Sequence, residues 1–65
     1  MKENDRLLVL REVLTLTRLS KPTLYKLVRE NKFPGQLRIS EQRVAWLQSE
    51  VLAWIDLRAS RRAVA

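Results

Sequence analysis

Three cations on one short stretch set the chemistry open to this chain. Lys21, Lys26 and Arg29 fall between Ser20 and Asn31. On a helical wheel Pro22, Lys26 and Arg29 share the face opposite Leu24, Leu27 and Val28, with Thr23 and Tyr25 on its flanks. A lysine or arginine so placed can donate to guanine O6 and N7, and a threonine methyl or a tyrosine ring can pack on a thymine methyl. Arg29, further along, is placed for phosphate. Arg38 and Arg43 flank a second candidate, a short hairpin. Arginine suits a narrow minor groove better than lysine. The plainer reading of each group is a solvated charged face, the ordinary role of surface charge. What favours contact for Lys26 and Arg29 is their position opposite an apolar stripe.

Bond-making chemistry has little to work with. The chain has no cysteine and no histidine, so thiolate and imidazole catalysis and the common transition-metal ligand sets are excluded. Its single glycine excludes a phosphate-binding loop or a dinucleotide fingerprint. Glu12, Glu30, Glu41, Glu50 and Asp56 are scattered over different elements and form no acid–base pair. Tyr25 as a recombinase-type nucleophile needs surrounding arginine and histidine, and there is no histidine. Its two open readings are contact with a partner and packing at the helix edge. No enzyme, cofactor or metal is expected.

The charge balance points the same way. Nine arginines and four lysines stand against seven acids, a net charge of +6 in 65 residues. Such density favours a polyanion, most often nucleic acid and less often an anionic membrane. No segment approaches the ~18 consecutive apolar residues of a membrane span, and no secretory signal pattern opens the chain. A cytoplasmic, nucleoid-associated protein is expected.

The elements that must position these residues follow from periodicity. Met1 to Asp5 is polar and expected to be loose, as are Ala63 to Ala65. Arg6–Leu10 reads as a strand. Arg11–Thr17 reads as a helix burying Leu10, Val13, Leu14 and Thr17. Arg18 and Leu19 form a turn, and Ser20 caps a second helix, about Lys21 to Asn31, with Pro22 in its first turn. Pro34 ends that helix, and Phe33 returns to the core. Leu37–Ile39 and Val44–Trp46 alternate as a β-hairpin about Ser40–Arg43. A last helix begins near Gln48 or Ser49, with Glu50 in its first turn and Val51, Trp54 and Ile55 inward.

Several residues have two readings. Trp46 and Trp54 could stack on bases, but their apolar neighbours make core packing the ordinary fate. Arg58, Arg61 and Arg62 fit a phosphate clamp or the favourable end of a helix dipole. Leu52 and Leu57 lie on the flanks of the last helix, either as unremarked exposed leucines or as a protomer contact.

The order helix, tight turn, capped basic helix and hairpin is that of a winged helix-turn-helix. The expected fold is a small α+β domain, 1–65, of three helices and a short β-hairpin wing. The sequence resembles the AlpA family of prophage regulators, relatives of the excisionases and the MerR-like winged helices. The matching stretches are Arg6-Leu7-Leu8, Glu12-Val13-Leu14, Leu19-Ser20 with Thr23-Leu24-Tyr25, Phe33-Pro34, Val44-Ala45-Trp46, and Ser49-Glu50-Val51 with Trp54. They span about Arg6 to Arg58, and the ordered set carries the likeness.

The resemblance implies a bacterial or phage protein that binds double-stranded DNA. It implies either transcription regulation or a recombination directionality factor, that is, an excisionase serving an integrase. A single module buries only roughly 600–1,000 Å² on DNA, so besides the DNA further copies on adjacent sites, or an integrase or RNA polymerase, are expected as partners. The DNA-binding set expected from residues and likeness together is Arg18, Ser20, Lys21, Thr23, Tyr25, Lys26, Arg29, Arg38 and Arg43. The chain departs from the family where Arg18 replaces a usual glycine, a position suited to left-handed backbone, and in a wing turn without glycine. A different class stays open: a protein-interaction module, such as an antitoxin or anti-repressor, using the basic face on an acidic partner.

Overall fold

The computed structural model describes residues 5–61. The expected looseness of residues 1–4 and 63–65 lies outside the described residues. The chain runs β1 (Leu7–Leu8), α1 (Leu10–Thr17), α2 (Lys21–Arg29), β2 (Leu37–Arg38), β3 (Val44–Leu47) and α3 (Gln48–Arg61). This is a small α+β, winged-helix-like fold.

One correction concerns the sheet. The hairpin is not alone: β1 joins it, giving an antiparallel sheet in the order β1-β3-β2. Leu7 pairs with Leu47 and Leu8 with Trp46, while Leu37 pairs with Ala45 and Arg38 with Val44. The first strand is shorter than Arg6–Leu10 because α1 claims Leu10. Glu12 fixes that start, its Oε1 accepting the Val9 N–H at 3.0 Å, the glutamate half of a capping box.

Asp5 is a second correction. It is half-buried and accepts hydrogen bonds from Ser49, so it is no loose tail residue.

The third correction is the end of α2, at Arg29 rather than Asn31. Asn31 turns left-handed, φ 59°. The Asn31 N–H then reaches the Val28 carbonyl at 3.1 Å and the Lys32 N–H the Leu27 carbonyl at 2.8 Å. That is the Schellman arrangement, with asparagine where glycine is commoner.

Leu8, Val13, Leu24, Phe33, Trp46 and Val51 form the core, and all three helices contribute to it. Trp46 is fully buried, and its Nε1 donates to the Pro34 carbonyl at 2.9 Å. Trp54 packs edge-on against Phe33, centroids 4.9 Å apart, and its Nε1 donates to the Lys32 carbonyl at 2.7 Å. Both tryptophans therefore act as core residues with their polar edges satisfied, and Phe33 does return to the core.

Candidate nucleic-acid interface

The turn between α1 and α2 sets the geometry. Arg18 adopts φ 62°, ψ 19° and its N–H closes on the Leu14 carbonyl at 2.8 Å. Left-handed backbone costs a non-glycine residue ~1–2 kcal/mol. The local hydrogen bonds and the burial of Val13 and Leu24 on either side of the turn hold it there. Ser20 then caps α2, its Oγ accepting the Thr23 N–H at 3.4 Å and lying 2.8 Å from Thr23 Oγ1. The two hydroxyls stiffen the first turn of α2 and stay exposed beside Lys21.

Along α2, Leu24 is fully buried while Lys21, Pro22, Thr23, Lys26 and Arg29 are exposed. The wheel drawn from the sequence therefore holds. Tyr25 is half-buried, its ring tilted against Trp46 with centroids 6.4 Å apart. The packing reading of Tyr25 is realised, and its other side faces outward into a groove.

That groove, about 530 Å³, is lined by Val9, Leu10, Arg11, Lys21, Tyr25, Gln42, Arg43 and Val44. It lies between the start of α2 and the wing. Lys21, Tyr25 and Arg43 are thus brought together. Lys26 and Arg29 continue the positive face along α2, outside the groove. Arg18 is exposed ahead of α2, and Arg38 is exposed at the base of the wing. The wing closes without glycine: the Ile39 N–H donates to the Arg43 carbonyl at 2.9 Å, and the Arg43 N–H to the Ser40 carbonyl at 3.3 Å.

Arg11 and Gln42 also line the groove, and sequence reasoning did not select them. Arg11 reads as the outer face of α1. The groove sets it beside Lys21, ten residues on, and no local pattern encodes that approach. Arg58 stands apart, its guanidinium 4.7 Å from the centre of the Trp54 ring. Arg61 is exposed on the last turn of α3, and Arg62 lies outside the described residues.

Among the described residues no cluster of His, Cys, Asp or Glu could hold a metal ion, and no helix is long and apolar enough to cross a membrane. What the arrangement offers is hydrogen-bond donors and positive charge on a rigid, capped helix beside a short two-stranded projection.

Comparison with known proteins agrees with the likeness drawn from the residues. The family described as prophage CP4-57 regulatory protein (AlpA) matches residues 6–59. The chain is 43% identical over 58 residues to "Uncharacterized protein ORF88" of Enterobacteria phage P4. The alignment covers 89% of this chain and 66% of that relative, so the chain spans about two thirds of the length of the protein it matches. No solved structure matches. With the family pattern running through β1, all three helices and the wing, the chain belongs to the AlpA family of prophage regulatory proteins.

Proposed function

We propose that this chain is a sequence-dependent, duplex-DNA-binding regulator of a mobile element. In this reading α2 enters the major groove, and the wing of β2 and β3 lies on the neighbouring backbone or minor groove. A helix fits the major groove, where base edges carry a unique donor and acceptor code. The carrying observation is the exposed set Lys21, Lys26 and Arg29 on a Ser20-capped helix, with Arg43 of the wing sharing a groove with Lys21 and Tyr25. Lys21, Thr23, Tyr25 and Lys26 read base edges. Arg18 and Arg29 hold phosphate, and Arg38 and Arg43 hold phosphate or the minor groove. Ser20 acts chiefly by setting the first turn of α2.

The test is selection from sheared host DNA at physiological salt, followed by sequencing, with the double variant Lys26→Ala and Arg29→Ala beside it. Enrichment lost in the variant supports the reading. Sites beside an attachment core identify an excisionase working with an integrase, and sites at promoters identify a transcription regulator working with RNA polymerase. No enrichment for either protein overturns the reading in favour of an interaction module with an acidic protein partner.

A further inference from the structure

The groove between α2 and the wing draws one cation from each of three elements. Arg11 comes from α1, Lys21 from α2 and Arg43 from the wing turn entering β3. All three are exposed, and among the described residues none of them forms an ion pair. No acidic residue lines the groove. The acids next to it in sequence lie elsewhere. Glu12 borders a neighbouring cavity, which Arg11 also borders, and there its carboxylate meets the Arg6 guanidinium at 3.8 Å and accepts the Val9 N–H. Glu41, exposed on the wing turn, stays out of the groove lining. Like charges gathered without a counter-charge repel one another, and a bound anion relieves that repulsion. The rest of the lining suits more than a bare anion. Val9, Leu10 and Val44 give it apolar surface, and the Gln42 amide adds a neutral donor. A sugar–phosphate strand presents that combination, with charged phosphate oxygens between the C–H faces of deoxyribose.

The geometry points to Arg11 as a phosphate contact: the groove seats the DNA strand that runs between α2 and the wing, and Arg11 and Arg43 donate to its phosphates from two separate elements. The inference rests on the DNA-binding reading proposed above and adds to it a contact from α1. The major and minor grooves of a duplex are divided by one sugar–phosphate strand. A helix in the major groove and a wing turned toward the adjacent minor groove therefore have that strand between them, and this groove is the space between α2 and the wing. An arginine can hold a phosphate through two parallel N–H bonds, which fixes orientation as well as adding charge. Contacts to phosphate set register without reading sequence, so the contribution of Arg11 is carried by all duplexes alike. Gln42 supports the same strand as an uncharged donor, and its loss leaves the salt dependence untouched.

The test uses a selected duplex and its methylphosphonate derivatives, each with one phosphate neutralised. The full chain is compared as wild type, Arg11→Ala, Arg11→Lys and Arg29→Ala. Arg11 is exposed, and circular dichroism checks that each variant is folded. Arg11→Ala is expected to weaken binding about tenfold, the usual loss for one hydrogen bond to a charged group. It should also lower the slope of log affinity against log salt by about 0.9. Arg11→Lys, which keeps the charge, should keep the slope. Neutralising one particular phosphate should weaken the wild type and Arg29→Ala but cost Arg11→Ala nothing further, the mark of a shared contact. Wild-type affinity and slope in Arg11→Ala overturn the inference and leave the DNA reading standing. A weakened Arg11→Ala that still responds to every phosphate as the wild type does shows charge acting at a distance, and that also overturns the contact. Failure of the wild type to bind any duplex overturns both readings together.

Discussion

Asp5 caps a helix that begins far along the chain. Its carboxylate accepts the Ser49 N–H at 3.0 Å and also accepts the Ser49 hydroxyl. One residue later, the Arg6 carbonyl accepts the Gln48 N–H at 2.8 Å. Two of the four orphan donors at the start of α3 are thereby satisfied by the segment leading into β1. A carboxylate there also meets the positive end of the helix dipole. The first and last elements of the fold are so tied together on one side of the sheet.

Asp5→Ala is expected to destabilise the protein by about 1–2 kcal/mol, the usual cost of losing a cap. In a domain this small each kcal/mol lowers the melting temperature by roughly 4–8 °C. Thermal unfolding followed by circular dichroism checks it. Unchanged melting would show that solvent satisfies the Ser49 donor equally well.

Arg18→Gly is expected to stabilise by about 1 kcal/mol, because glycine enters the left-handed region without the steric cost of a side chain. Arg18→Ala, which keeps a Cβ at φ 62°, should gain nothing. Denaturant midpoints of the two variants separate backbone relief from loss of charge. Equal midpoints would mean that the turn stores no strain at Arg18.

How much of this was legible beforehand depended on how local each signal was. The cap at Ser20 and the buried stripe of α2 are encoded within a few residues, and the structure matches both; the left-handed backbone at Arg18, expected from the family's usual glycine at that position, is found as well. The misses are non-local. Asp5 looked like a polar tail because its partner, Ser49, lies 44 residues away. The strand at Leu7–Leu8 was visible, but its pairing with β3 was not, since register follows from the whole core. Asn31 was counted as helix because asparagine is permitted at both a last helical position and a left-handed cap. For the candidate interface, the exposed face of α2 was legible and the approach of Arg11 and Gln42 to it was not, because it depends on how separate elements come together.

Trp46→Phe is expected to cost about 2–3 kcal/mol. The ring is fully buried, so the smaller side chain leaves a void, and the Pro34 carbonyl loses the donor now 2.9 Å away. Set against the ~3–5 kcal/mol that a core of this size supplies, the variant should keep only about 0–3 kcal/mol of stability. Trp54→Phe removes a partly exposed ring and should cost less. Urea titration of both variants gives the order, and a larger loss at Trp54 would reverse the assignment of the core's centre.

Salt dependence separates the two arginine groups. A cation that neutralises a phosphate contributes about 0.9 to the slope of log affinity against log salt, whatever the DNA sequence. Arg29, exposed on the outer face of α2, should therefore lower the slope by about that amount when changed to alanine, and weaken all duplexes alike. In the proposed docking, Lys21 and Lys26 read bases. Their alanine variants should cost about 1–3 kcal/mol on the selected site and much less on unrelated duplex. Arg58 is occupied differently, its guanidinium lying over Trp54 at 4.7 Å, a contact worth ~0.5–1 kcal/mol at an exposed site. Arg58→Ala should lower stability slightly and leave the slope unchanged. Fluorescence anisotropy across a salt series measures all four variants on one pair of duplexes. A slope that falls for Arg58→Ala and not for Arg29→Ala would move the DNA from the outer face of α2 to the end of α3. The groove between Lys21 and Arg43 would then lie away from the DNA.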